Sequence, residues 1–188
     1  MPTKSKTSDA IALLKEDHDT VKELFDKFEE TSGSAAKAKI VDQAVMALKV
    51  HAAIEEELFY PAMRQQIEDE EGIMDEADEE HHVAKILIAE LENMTGDEGH
   101  WEAKFMVLAE SVRHHIKEEE GKMFKEAKKT DIDLGALGSH IAQLKERLMR
   151  DGVPKDAEAK MIEKAGLRGD SPAKNAQKGL QVPLKKAS

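Results

Sequence analysis

His51-Ala52-Ala53-Ile54-Glu55-Glu56-Glu57-Leu58-Phe59-Tyr60-Pro61 sets a histidine and a carboxylate one helical turn apart within an otherwise apolar pattern. Residues three, four and seven apart share one side of a helix. On that spacing Ala44, Ala47, Leu48, His51, Glu55, Leu58 and Ala62 form a single stripe, so His51 and Glu55 both point at a core. Shifted by 64 residues, the stretch returns: His115 falls on His51, Glu119 on Glu55, Glu120 on Glu56, Met123 on Phe59 and Phe124 on Tyr60. The second stripe reads Leu108, Val112, His115, Glu119 and Met123. A shift of 63 lays Asp17-His18 on Glu80-His81, Lys22 on Lys85, Leu24 on Leu87, Phe25 on Ile88 and Phe28 on Leu91. His18 itself lies in the stripe Ile11, Leu14, His18, Val21 and Phe25. Two helical hairpins of like sequence predict a pseudo-twofold bundle. Each half offers one histidine from its first helix and a His-x-x-x-Glu pair from its second.

Working outward, turn-forming residues cluster at 31–34, 69–72, 95–99 and 129–133, and the segments between them are too long for strands. Helices are expected over roughly 8–30, 35–67, 74–95, 99–128 and 134–149. The fold class is therefore all-α: an up-down-up-down four-helix bundle with an additional C-terminal helix and a flexible tail. The fifth helix carries Leu134, Leu137, Ile141, Leu144 and Leu148 and is expected against the outside of the bundle. Pro61 should end or kink the second helix, because proline lacks an amide hydrogen and clashes one turn back. Residues 8–150 form the bundle domain. Residues 151–188, with eight basic and five acidic side chains, read as a flexible basic tail, with one short helix at most over 154–166. Gly179 to Lys186 within it has the layout of a docking peptide for a partner, although a solubilising tail is the plainer reading.

The 188 residues carry 28 Lys and Arg against 39 Asp and Glu, a net charge of −11; the first 150 residues hold 20 basic against 34 acidic side chains, and this acidic body repels phosphate backbones. Nucleic-acid binding is excluded as the main job. No apolar run is long enough to span a membrane, and no apolar signal core follows the N-terminus, so a cytoplasmic location is expected. The absence of cysteine removes disulfides, thiolate nucleophiles and cysteine-ligated metal sites. Metal chemistry is left with nitrogen and oxygen donors.

A carboxylate in an apolar core costs several kcal/mol unless it is paired or metal-bound, and this chain predicts two, each beside a histidine. His81 is preferred to His82 because it alone aligns with His18 in register. His115 and Glu119 are preferred to His114 and Glu118, whose match to His51 and Glu55 would set Gly121 on Leu58 and Lys122 on Phe59. Glu56 and Glu120 are expected outside the ligand set, supporting it. His100 and His140 fall outside the repeat and read as surface residues. Tyr60, the sole tyrosine, has two readings, a place near the ligand set or a packing role, and packing is the plainer one.

Over about residues 9–128 these motifs resemble the hemerythrin-like (HHE cation-binding) proteins. The resemblance rests on Asp17-His18 through Phe25, His51 through Pro61, Glu80-His81, and His114-His115 through Glu120 with Phe124. It implies a bundle holding two non-haem iron ions, oxo- or hydroxo-bridged, with His18 and His51 on one iron and His81 and His115 on the other. Glu55 and Glu119 would bridge them. The oxygen-carrying members have a further histidine four residues after the one matching His81, and here that position is Lys85. They also use an aspartate after the last histidine where this chain has a glutamate. Lys125 stands where a second Pro61 would fall. The small partner implied is an oxidant: dioxygen, peroxide or nitric oxide. Two uses stay open: catalase- or peroxidase-like peroxide turnover, and non-enzymatic iron, oxygen or nitric oxide sensing, binding or storage. The bland alternative is a helical bundle without metal.

Overall fold

A computed structural model describes residues 8–67 and 72–153, so the expected short helix over 154–166 and the basic tail lie outside the described residues. All regular structure among the described residues is helical. Helix α1 spans Ala10–Glu30 and α2 Ser34–Ile54; α2 runs through a π-helical segment, Glu55–Phe59, into α3, Tyr60–Arg64. Helix α4 spans Ile73–Glu92. Helix α5, Trp101–Glu118, likewise passes through a π segment, Glu119–Met123, into α6, Phe124–Ala127. Helix α7 covers Leu134–Asp151. Taken as continuous rods, α1, α2–α3, α4 and α5–α6 are the four expected helices. The Asp9 side chain caps α1 by accepting from Ala12 N at 2.8 Å, and Asp133 caps α7 by accepting from Ala136 N at 2.9 Å.

Two apolar cores stack along the bundle. One gathers Phe25, Phe28, Ile40, Val45, Trp101 and Phe105. The other gathers Leu14, Ile54, Phe59, Met63, Met74 and Phe124. His18 and His51 lie between residues of these two cores on their own helices, as do His81 and His115. A polar layer thus interrupts the hydrophobic interior at mid-height.

The fifth helix does more than rest on the outside. It packs against α1 and α2, and its Ile141, Leu144 and Leu148 are buried members of the second core. Gly138 permits this approach: a Cβ there would lie 2.6 Å from the carbonyl oxygen of Ser8 and 2.8 Å from Ala10 N.

Pro61 does not end its helix. The Tyr60 amide donates five residues back, to the Glu55 carbonyl, and the chain continues through Pro61 to Arg64. The widened turn loosens the ladder where the missing amide and the ring would otherwise conflict. Proline is not its cause, because Phe124 N donates to the Glu119 carbonyl at the equivalent place, where the next residue is Lys125. No helix among the described residues is long and apolar enough to cross a membrane.

Candidate metal centre

The polar layer contains all six side chains that the sequence singles out. His18, His51, Glu55, His81, His115 and Glu119 are buried, with Glu55 fully inaccessible. His18 Nε2 lies 3.2 Å from His51 Nε2 and 3.1 Å from a Glu119 oxygen, and His51 Nε2 is 3.1 Å from Glu55 Oε1. On the other side His81 Nε2 lies 3.3 Å from His115 Nε2 and 3.3 Å from Glu55 Oε2. Two donor groups result: His18, His51, Glu55 and Glu119, and beside it Glu55, His81 and His115. Glu55 belongs to both, one oxygen toward each. Glu119 sits with the first.

Three of the four histidines are oriented from outside by carboxylates. His18 Nδ1 is 3.1 Å from Glu120, His81 Nδ1 is 2.9 Å from Glu56, and His115 Nδ1 is 2.8 Å from Glu80. Glu56 and Glu120 are the supporting pair expected. Asp17 and Glu80, which also face histidine Nδ1 atoms, had no role assigned from sequence, although the repeat aligns them. Lysines hold several of these acids in turn: Lys15 lies 2.7 Å from Glu120, Lys85 contacts both oxygens of Glu56, and Lys145 contacts Asp17.

Such outer bonds fix the chemistry of the inner atoms. A carboxylate on Nδ1 keeps the ring proton there and turns the Nε2 lone pair inward. The Nε2 lone pairs of His81 and His115 then face each other and a Glu55 oxygen. Glu119, 3.1 Å from His18, has neither oxygen in hydrogen-bonding geometry with any described partner, and Glu55 Oε1 has none either. Acceptors converging on acceptors in a dry core repel unless a cation or extra protons lie between them. Protons can serve: burial opposes a charged His51, yet Glu55, Asp17 and Glu119 overcome it and raise its pKa to about 10. For His81 burial is likewise outweighed by Glu55 and Glu56, giving about 9. Glu55 is held well below the carboxylate range by His51 and His81 despite its burial. Glu119 is pushed up by burial and by Glu55. A metal cation resolves the same conflict with the donor types present, and the residues fit one.

A family model for the Hemerythrin HHE cation binding domain matches residues 9–127. The chain belongs to this family. A crystal structure of a Hemerythrin HHE cation binding domain-containing protein from Mycobacterium kansasii is similar to this hemerythrin-like chain, with 26% identity and a TM-score of 0.62. The likeness covers 77% of this chain and 94% of that one. No curated protein matches.

Two features give the hemerythrin-like site its particular character. Lys85, at the position of the oxygen carriers' extra histidine, reaches Glu56 and not the ring nitrogens at the centre. Tyr60, expected as packing, is wholly buried with its hydroxyl in the second donor group: 3.2 Å from His81 Nε2, and 3.5 Å from both His115 Nε2 and Glu55 Oε2. Its repeat partner Phe124 stacks on His18 with ring centroids 5.7 Å apart, as Tyr60 covers His81 at 5.3 Å. One ring thus lies over each donor group, and only one carries a hydroxyl. Burial, Glu55 and Glu119 raise the Tyr60 pKa well above its usual value, so the phenol keeps its proton. His82 and His114 stay outside both donor groups, and His100 and His140 are exposed.

Proposed function

We propose that the chain holds two non-haem irons, one in each donor group, and turns over hydrogen peroxide or reacts with dioxygen. The observation that carries this reading is the pair of adjoining groups sharing Glu55 inside a dry bundle core. His18, His51, Glu55 and Glu119 would hold the first iron, and Glu55, His81 and His115 the second, with the Tyr60 hydroxyl at hand. Nitrogen and oxygen donors on facing helices of a bundle suit a redox-active pair of this kind. Bound iron supplies one-electron exchange between ferrous and ferric states. The chain's residues supply the rest. Few protein donors per metal leave room for a small oxidant. Outer carboxylates hold the His18, His81 and His115 rings at a set angle, and Tyr60 keeps a proton at its hydroxyl beside Glu55 and His81. Lys85, tied to Glu56, does not occupy the place that a fifth histidine takes in the oxygen carriers, which favours reaction over reversible oxygen carriage.

Metal analysis with an optical spectrum before and after reduction, followed by oxygen evolution from added peroxide, tests the proposal. Two irons per chain, near-ultraviolet charge-transfer bands and oxygen release are expected. Two irons with peroxide left untouched would make the chain a store or sensor instead of an enzyme.

A further inference from the structure

His51 is the histidine whose outer nitrogen is not held. The other three keep a carboxylate within 2.8–3.1 Å of Nδ1. Asp17 Oδ2 stands 3.7 Å from His51 Nδ1, beyond hydrogen-bonding reach, and both atoms are buried without a hydrogen-bond partner among the described residues. Its repeat counterpart Glu80 reaches His115 at 2.8 Å. Among the carboxylate contacts to histidine Nδ1, the first half of the repeat departs from the second here.

Asp17 is also contacted from α7. Lys145 Nζ contacts Asp17 Oδ1 from that helix, which follows the residues matched by the family model. Close packing of Gly138 on the start of α1, with Ile141, Leu144 and Leu148 in the core, fixes where Lys145 stands. A lysine on the acid is not sufficient in itself, since Glu120 and Glu56 carry Lys15 and Lys85 and still reach their histidines. Asp17 and Lys145 also line a groove of about 530 Å³ between α1, α2 and α7, walled by Leu24, Met46, Val50 and Met149.

We propose that Lys145 is a positioning residue that draws Asp17 off His51, leaving the metal position of His18 and His51 the more readily vacated of the two. This rests on the metal-centre reading above. A ligand histidine whose outer N–H is held by a carboxylate is better oriented and more basic, and such partners typically change metal affinity by about 10–100-fold.

The test follows release of ferrous iron from the anaerobically loaded full-length chain to a coloured chelator, alongside the ¹⁵N ring signals of the metal-free chain. The unaltered protein should release iron in two phases. Lys145→Met should slow the faster phase about tenfold as Asp17 closes on His51, with the slower phase unchanged. It should also move the His51 Nδ1 signal towards that of a hydrogen-bonded ring. Lys145→Arg should keep the original behaviour, and in an Asp17→Ala background Lys145→Met should have no effect. A single release phase in the unaltered chain, slowing that survives Asp17→Ala, or equal changes in both phases overturns the proposal. Two bound irons with an unmoved His51 signal and an unchanged fast phase also overturn it, while leaving the metal reading standing. A chain that binds no iron overturns both, and iron analysis separates these cases.

Discussion

At the scale of single residues the adjacent histidines offer the sharpest contrast. His81 and His115 face the donor groups, whereas their neighbours His82 and His114 do not join them. His51→Ala and His115→Ala should each lose bound metal, while His82→Ala and His114→Ala should retain it in full, as read by metal analysis of the purified variants. The same residues set a pH dependence with a definite sign. In the metal-free protein His51 titrates near 10 and His81 near 9, both above the ordinary 6.5. Their contribution to stability is complete below about pH 6.5 and is lost as pH rises through 9 to 10. The melting temperature of the metal-free chain should therefore fall across that upper range. Metal must displace these protons, so loading at pH 7 should release acid, measurable with an indicator in weak buffer, and affinity should rise with pH.

At the scale of elements the π segments and α7 place the site. Both π segments begin at the glutamate of a His-x-x-x-Glu pair. Each shifts the following residues by one position, bringing Tyr60 and Phe124 over the histidines. Since the second segment forms without proline, Pro61→Ala should keep the fold and the metal content, with stability changed by about 1 kcal/mol or less. Denaturant unfolding and metal analysis check this. Gly138→Ala should behave differently, because the added methyl meets backbone atoms of Ser8 and Ala10. A loss of about 1–3 kcal/mol is expected for such overpacking, seen as a lower unfolding midpoint.

At the scale of the whole molecule, the polar layer makes stability depend on what occupies it. Two apolar cores hold the helices together above and below, while between them acceptors face acceptors. A cation that binds only the folded chain stabilises it by mass action, about 2.7 kcal/mol at a free concentration one hundred times its dissociation constant. Stripping the protein with a chelator should lower its melting temperature, and adding iron back should restore it, followed by circular dichroism at 222 nm. An unchanged melting temperature would argue that protons alone satisfy the layer.

The amino-acid sequence by itself determined the bundle, its pseudo-twofold repeat and the six inward donors, because helical periodicity and the 63- and 64-residue echoes are local patterns. Even the choice between His81 and His82 was legible, since a one-residue slip would turn apolar positions out of the core. Tyr60 was not. On α-helical spacing Phe59, not Tyr60, follows one turn beyond Glu55, and the π segment that moves Tyr60 into the site is a feature of backbone hydrogen bonding. Asp17 and Glu80 stood in the repeat without a role, because a carboxylate beside a histidine in sequence does not reveal which ring it serves: Asp17 faces His51 and Glu80 serves His115, each on another helix. Only the tertiary structure decided that α7 enters the core and sets Lys145 against Asp17. Those contacts join residues up to 128 positions apart, where separation along the chain carries no periodic signal and packing alone selects the partners.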